Sequence, residues 1–225
     1  MIPEVVRNSN ENDYLLDPMI GGGTTAIECK LLNRNLLALD INPNAIEITK
    51  NALDFESEFN PKIKLELNDS RSLAMLNDES IDFILNHPPY VDIIHYSEKQ
   101  IPEDLSNIHD LDEFCDEIEK VAKEFYRVLK KDKYCAILIG DTRRNKMYQP
   151  LAFKVMERFL KVGFELKKVM FILENLPPNK AKYTIEKQPQ NIEEVSNEEQ
   201  HYYEELLSNM TPDDKEVASK ESFEI

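Results

Sequence analysis

The sequence predicts an α/β domain built on a doubly wound, mostly parallel sheet, and three observations lead there. Short apolar runs alternate with longer amphipathic stretches, the pattern of strands feeding crossover helices. Five of the runs lead into an aspartate or an unusual turn: Asp17, Asp40, Asp69, His87–Tyr90 and Asp141. Three consecutive glycines, Gly21-Gly22-Gly23, separate the first run from the first helical stretch. In a parallel sheet the carboxyl ends of the strands share one edge, and ligands bind along it.

Taken in order, Tyr14–Asp17 reads as the first strand and Thr24–Asn33 as the first helix. Leu36–Asp40 is the second strand. Asn42 then caps, and Pro43 opens, a second helix that apolar residues from Ala45 to Phe55 carry toward Phe59. Ile63–Leu67 is the third strand, followed by a short helix near Ser72–Leu76. Ile81–Leu85 is the fourth, running into Asn86-His87-Pro88-Pro89-Tyr90. The stretch from Val91 to Asp110 lacks periodicity, and a loop of that length inside a domain is usually functional or mobile. Leu111–Leu129 is an amphipathic helix, with Lys130-Lys131-Asp132-Lys133 placing positive charge where its dipole favours it. Tyr134–Ile139 is the fifth strand, Pro150–Val162 the last helix, stopped by Gly163, and Phe164–Leu173 a sixth strand. Pro177-Pro178 breaks the chain. The domain is therefore expected to span residues 1–175, with 176–225 an acidic, polar extension, partly helical or disordered.

The totals narrow the partners. The chain has 27 basic and 43 acidic residues, a net charge of −16. That balance argues against tight non-specific binding of nucleic acid by this chain alone, since such binding requires neutralising phosphates. No apolar run is long enough for a membrane span, and the start lacks the basic and apolar regions of a signal peptide. Cys29, Cys115 and Cys135 are scattered without metal-ligand spacing and read as reduced thiols of a cytoplasmic protein. His95 and His109 read as structural or solvent-facing, so no metal is expected.

Two motifs carry chemistry. In Asp17-Pro18-Met19-Ile20-Gly21-Gly22-Gly23-Thr24-Thr25, the glycines allow close approach of a ligand and the helix start offers unpaired N–H groups. Asp40 follows at about the spacing, some 20 residues, at which an acid grips a ribose. In His87-Pro88-Pro89-Tyr90, two prolines fix the backbone and remove two donors, leaving carbonyls free. Tyr90 adds an aromatic face. A carbonyl that orients an amine beside a ring that stacks on a base suits a planar group with an exocyclic amine.

Together the motifs resemble those of the amino-methyltransferases that use S-adenosylmethionine. More narrowly, they are similar to the DNA adenine-N6 and cytosine-N4 methyltransferases, whose glycine motif reads Asp-Pro-Phe-x-Gly-Ser-Gly-Thr-Thr and whose catalytic motif is Asp, Asn or Ser before Pro-Pro-Tyr. The resemblance covers residues 2–173 and implies a Rossmann-like methyltransferase fold. By position, Asp17, Met19, Gly21 and Gly23 would surround the cofactor's methionine part, and Thr24 and Thr25 would cap the helix. Asp40, with Ile41 beside it, would bind the ribose, and Asp69 with Ser70 would meet the adenine. His87, Pro88, Pro89 and Tyr90 would hold the target base. Tyr96 and Ser97 are candidates to line the target pocket, and Arg143 and Arg144 to contact a phosphate. The implied reaction is direct in-line transfer to a DNA base flipped out of its stack, as in restriction-modification.

This sequence departs from the family pattern in four ways. Position 87 is His, which leaves adenine and cytosine both open as targets. No target-recognition domain follows. The sheet's closing antiparallel hairpin has only Tyr183-Thr184-Ile185 as a weak last strand, and the charge is adverse for DNA. Either a second copy of the chain or a separate specificity subunit would then supply the grip on DNA, or the chain is truncated or diverged. Two alternatives stand beside this reading: transfer to an RNA base or a protein glutamine amide, and a cofactor-binding subunit without catalysis.

Overall fold

β1 (Tyr14–Asp17) sets the order of the sheet. The computed structural model describes residues 5–97, 100–144 and 146–169. On one side β1 pairs with β2 (Asn35–Asp40), and β2 with β3 (Ile63–Leu67). On its other side it pairs with β4 (Ile81–Asn86), and β4 with β5 (Leu129–Ile137). Every pairing is parallel, giving the order β3-β2-β1-β4-β5. The chain thus builds outward from β1, then returns to its other flank, which makes the gap between β1 and β4 the switch point where a ligand is expected.

Alternation along the strands divides the interior into two cores. Leu15, Leu36, Ala38, Phe83 and Leu85 face one side, where Ala26 and Cys29 of α1 (Thr24–Leu31) and Ala45 of α2 (Pro43–Ala52) are buried. Leu16, Leu37, Leu39 and Ile84 face the other, against α3 (Leu111–Val128) and α4 (Leu151–Val162). Helices therefore cover both faces, as the predicted fold class requires.

α3 is the strongest element. Asp110 caps it, its side chain accepting from the amides of Asp112 and Glu113, and Phe114, Ile118, Val121, Phe125 and Val128 form its buried stripe. Its end differs from expectation. Lys130 to Lys133 do not close the helix; the chain passes at Leu129 straight into β5. Leu129 pairs with Ile81, and the ladder resumes with Tyr134 opposite Phe83, the intervening residues bulging around Asp132 at φ 58°. Lys130 and Lys133 approach Asp82 at 2.8 and 3.5 Å instead.

Other boundaries moved because side chains distant in sequence intervene. α2 stops at Ala52 rather than near Phe59, because the ammonium of Lys30 binds the carbonyls of Leu53 and Phe55 at 2.8 and 2.6 Å. The expected helix at 72–76 is only a turn. There the Leu73 amide donates to Glu124 Oε2 at 2.6 Å, and Arg127 donates to the carbonyls of Leu73 and Leu76 at 2.9 Å each. These side-chain bonds to α3 take the place of helical ones.

An unpredicted antiparallel hairpin, β6 (Thr142–Arg144) and β7 (Met147–Gln149), precedes α4. The 91–110 stretch carries one 3-10 turn, Leu105–Asn107. Residues 164–169 are not a strand, since they pair with no neighbour among the described residues. The rest of that expected strand, the 183–185 strand and the 176–225 extension lie outside the described residues. Among the described residues no helix is long and apolar enough to cross a membrane.

Candidate active site

A cavity of about 270 Å³ opens at the carboxyl ends of β1 to β4. Its wall brings together Asp17, Met19, Gly21, Thr24, Thr25, Asp40, Ile41, Asp69, Ser70, His87, Pro89 and Tyr96 from the sequence-derived set. Gly23, Pro88, Tyr90, Ser97, Arg143 and Arg144 do not line it.

The glycine turn is held from two directions. The Gly21 amide donates to Asp40 Oδ2 at 3.0 Å, and its carbonyl accepts from the Thr49 hydroxyl at 3.1 Å. Gly21 and Gly23 both have positive φ, 53° and 86°. A Cβ on Gly23 would lie 3.0 Å from Thr49 Oγ1 and 3.1 Å from its Cα, so α2 leaves no room for one. Gly23 also occupies the cap position of α1, without a side-chain cap bond. The expected capping by Thr24 and Thr25 is therefore corrected: both lie inside the helix, and the Thr25 side chain hydrogen-bonds to Asp17. An uncapped helix start bordering the cavity leaves its first amides for a ligand.

Acids dominate the wall. Asp17 is buried, and burial pushes its carboxyl up to about 7 despite the bonds from Thr25 and from the Met19 amide at 3.1 Å. Asp40 is also raised by burial, although the amides of Asn42 and Gly21 both donate to it. Asp69 is differently engaged: Arg71 grips both of its carboxylate oxygens at 2.7 to 3.0 Å. Arg71 also donates to Glu117 of α3 and to the Glu103 carbonyl, at 2.8 and 2.7 Å. This concentration of carboxylates suits a ligand that carries positive charge together with hydroxyl or amine donors.

At the β4 end, His87 is exposed to solvent. Its Nε2 lies 3.0 Å from the Tyr90 hydroxyl, with the rings 5.6 Å apart and tilted by 56°. Desolvation by its neighbours holds the imidazole below its usual value, so it is neutral at pH 7. The Tyr90 ring lies against Gly140, where a Cβ would come within 3.6 Å. Ser97 is buried, and its hydroxyl has no partner among the described residues. Arg144 is occupied in an ion pair with Asp92 and a bond to the His109 carbonyl, while Arg143 is exposed on β6. His109 pairs with Asp92, and His95 bonds the Ser106 carbonyl at 3.1 Å. Among the described residues no His, Cys, Asp and Glu are grouped to hold a metal ion.

Known proteins can now be set beside this geometry. Residues 4–51 match the DNA methylase family pattern. That segment holds the glycine turn, Asp17 and Asp40, so the match supports the family resemblance over the part of the cavity wall built by β1 and β2. Among relatives, the type II methyltransferase M.HpaI of Haemophilus parainfluenzae is 40% identical over 85 residues, 37% of this chain and 26% of that protein. An uncharacterised protein of Methanocaldococcus jannaschii, MJ1233, is 26% identical over 155 residues, 68% of this chain and 47% of that protein. The chain thus spans less than half the length of either relative. In fold, it is similar to a TehB-like SAM-dependent methyltransferase from Corynebacterium glutamicum, with a TM-score of 0.50 at 15% identity, over 74% of this chain and 73% of that one.

Sequence reasoning missed part of the wall. Asn42, Asn68, Glu103, Asp104, Leu105 and Leu138 all line the cavity. Asn42 and Asn68 were legible as residues next to strand ends. Glu103 and Asp104 belong to the unperiodic stretch, which gave no signal of what it faces.

Proposed function

We propose that this chain is the catalytic part of an S-adenosylmethionine-dependent methyltransferase acting on an exocyclic amine of a DNA base, adenine N6 or cytosine N4. Residues 1–175 form the catalytic domain and 176–225 an acidic extension. The observation that carries this reading is a single cavity with the glycine turn and buried acids on one wall and His87 and Pro89 on the other. The DNA methylase match over the first of these walls supports it.

The residues fit the cofactor. Asp17 and the uncapped start of α1 would hold its charged methionine end, and Asp40 its ribose. When bound, the cofactor supplies an electrophilic methyl group on a sulfonium. Direct in-line transfer of that group to the target amine would leave the amine with one proton to lose. Pro89, on the cavity wall and fixed by Pro88 before it, would offer a rigid backbone carbonyl to the amine, and Tyr90, beside His87, an aromatic face once that contact opens. Neutral His87 accepts its proton. The Tyr90 hydroxyl rests on His87, so an entering base displaces that contact. Most of the rate enhancement then comes from positioning.

With a net charge of −16, this chain needs help to hold DNA, from a second copy or a specificity subunit. The same charge favours, as a second reading, transfer to an RNA base or a protein glutamine amide. The test is methyl transfer from labelled S-adenosylmethionine to DNA, RNA and protein separately, comparing the wild type with Tyr90→Ala. Label in DNA that falls at least about a hundredfold in the variant, with cofactor affinity kept, is expected. Label only in RNA or protein would replace the substrate. Cofactor binding without label anywhere would make this a binding subunit.

A further inference from the structure

We propose that Asp104 is a cofactor-binding residue, accepting an N–H or O–H donor of the cofactor's nucleoside half. The assignment rests on the cofactor reading above and extends it to the stretch between β4 and α3. Asp104 lines the cavity and is only 6% exposed. One carboxylate oxygen, Oδ1, accepts from the Ser106 amide at 2.9 Å and caps the 3-10 turn. The other, Oδ2, is buried and has no partner among the described residues. A buried carboxylate oxygen without a donor is costly, and such atoms are rare unless something from outside the chain completes them.

The other buried and half-buried aspartates of this wall are already served. Asp17 accepts from the Met19 amide and Thr25, and Asp40 from the amides of Gly21 and Asn42. Asp69 is gripped by Arg71 through both oxygens. Arg71 has therefore taken up the acid that the family resemblance assigns to the adenine, and Asp104 is the acid left with an open acceptor.

Its placement selects the nucleoside half. Asp104 is close enough to Asp40 to raise that carboxyl's pKa. Its segment is held over the ends of β2 and β3 by two bonds. Asn42 Nδ2 donates to the Tyr96 carbonyl at 2.9 Å, and Arg71 Nη2 to the Glu103 carbonyl at 2.7 Å. These are the strand ends that carry Asp40 and Asp69, away from His87.

Asp104→Asn keeps size and an acceptor for the Ser106 amide but offers an NH2 where Oδ2 stands. Asp104→Ser keeps a capping hydroxyl. Calorimetry with S-adenosylmethionine and 5′-methylthioadenosine, which lacks the amino-acid end, is the test. Both variants should melt within a few degrees of the wild type and lose roughly tenfold or more in affinity for both ligands, as expected for one charge-assisted hydrogen bond. Unchanged affinity for both would overturn the assignment while leaving the cofactor reading intact. Loss confined to S-adenosylmethionine would also overturn it, by placing Asp104 at the methionine end. If the wild type binds neither ligand, the cofactor reading falls and the assignment with it.

Discussion

The two walls of the cavity are built on opposite terms. The wall at β1 and β2 is fixed before any ligand arrives: Gly21 is tied to Asp40 and Thr49, Gly23 is closed in by α2, and Asp17 is buried. At β4, His87 is exposed, Tyr90 rests on it, and an exposed hairpin follows β5. A cofactor that is the same in every turnover rewards a preformed pocket. A target that arrives inside a larger molecule needs an open face whose internal contacts can be exchanged. The contrast predicts that damage to the first wall appears in binding, and damage to the second in transfer.

The largest effect should come from Gly23→Ala. The added methyl meets Thr49, including its backbone, at a positive φ, so a loss of about 3 kcal/mol in stability and of at least a hundredfold in cofactor affinity is expected. Denaturant unfolding and calorimetry read the two. Near-normal values for both would show the first wall to be less rigid than its contacts indicate. Asp40→Ala should come next, since it orphans two amides and removes an acceptor. A tenfold or greater loss in affinity for S-adenosylmethionine is expected, with transfer at saturating cofactor little changed. A fall in saturated transfer with affinity kept would mean that the walls do not divide the work this way.

A change of pH should separate the walls more gently. Asp17 has a folded value of about 7 against an ordinary 3.8, so its contribution to stability is present below 3.8 and lost as pH rises through 7. A cationic ligand reverses the preference, since it favours the charged carboxylate. Affinity should rise a few-fold from pH 6 to 8, with proton release below 7. His87, held below 6.5, must be neutral to accept a proton. Transfer from the saturated complex should therefore stay level around neutral pH and decline in acidic solution. Parallel pH profiles for binding and transfer would contradict this. The smallest effect should be at Gly22→Ala, where the added methyl meets nothing within 4 Å; affinity and melting temperature should both stay near wild type.

The same contrast governs what the sequence revealed. β1 and β3 were legible to the residue, and so was the cap of α2 at Asn42-Pro43, because local chemistry dictates them. Asp17, Gly21, Asp40, Asp69 and His87 could be placed at one sheet edge from alternation alone. What could not be read depends on distant side chains. Lys30 ends α2, Arg127 and Glu124 hold the turn after β3, and Arg71 takes Asp69 into an ion pair. No periodicity announces such bonds, and Asp104 stayed hidden because its stretch has none.

The connection between β3 and β4 has a consequence for synthesis. Its backbone groups at Leu73 and Leu76 are satisfied by Glu124 and Arg127, about fifty positions later in the chain, and Arg71 leans on Glu117 in the same way. Until α3 has left the ribosome, the Asp69 side of the cavity lacks the bonds that Glu117, Glu124 and Arg127 supply. On the proposed reading, a nascent chain that already displays its complete glycine motif would reach full affinity for the cofactor only once α3 docks.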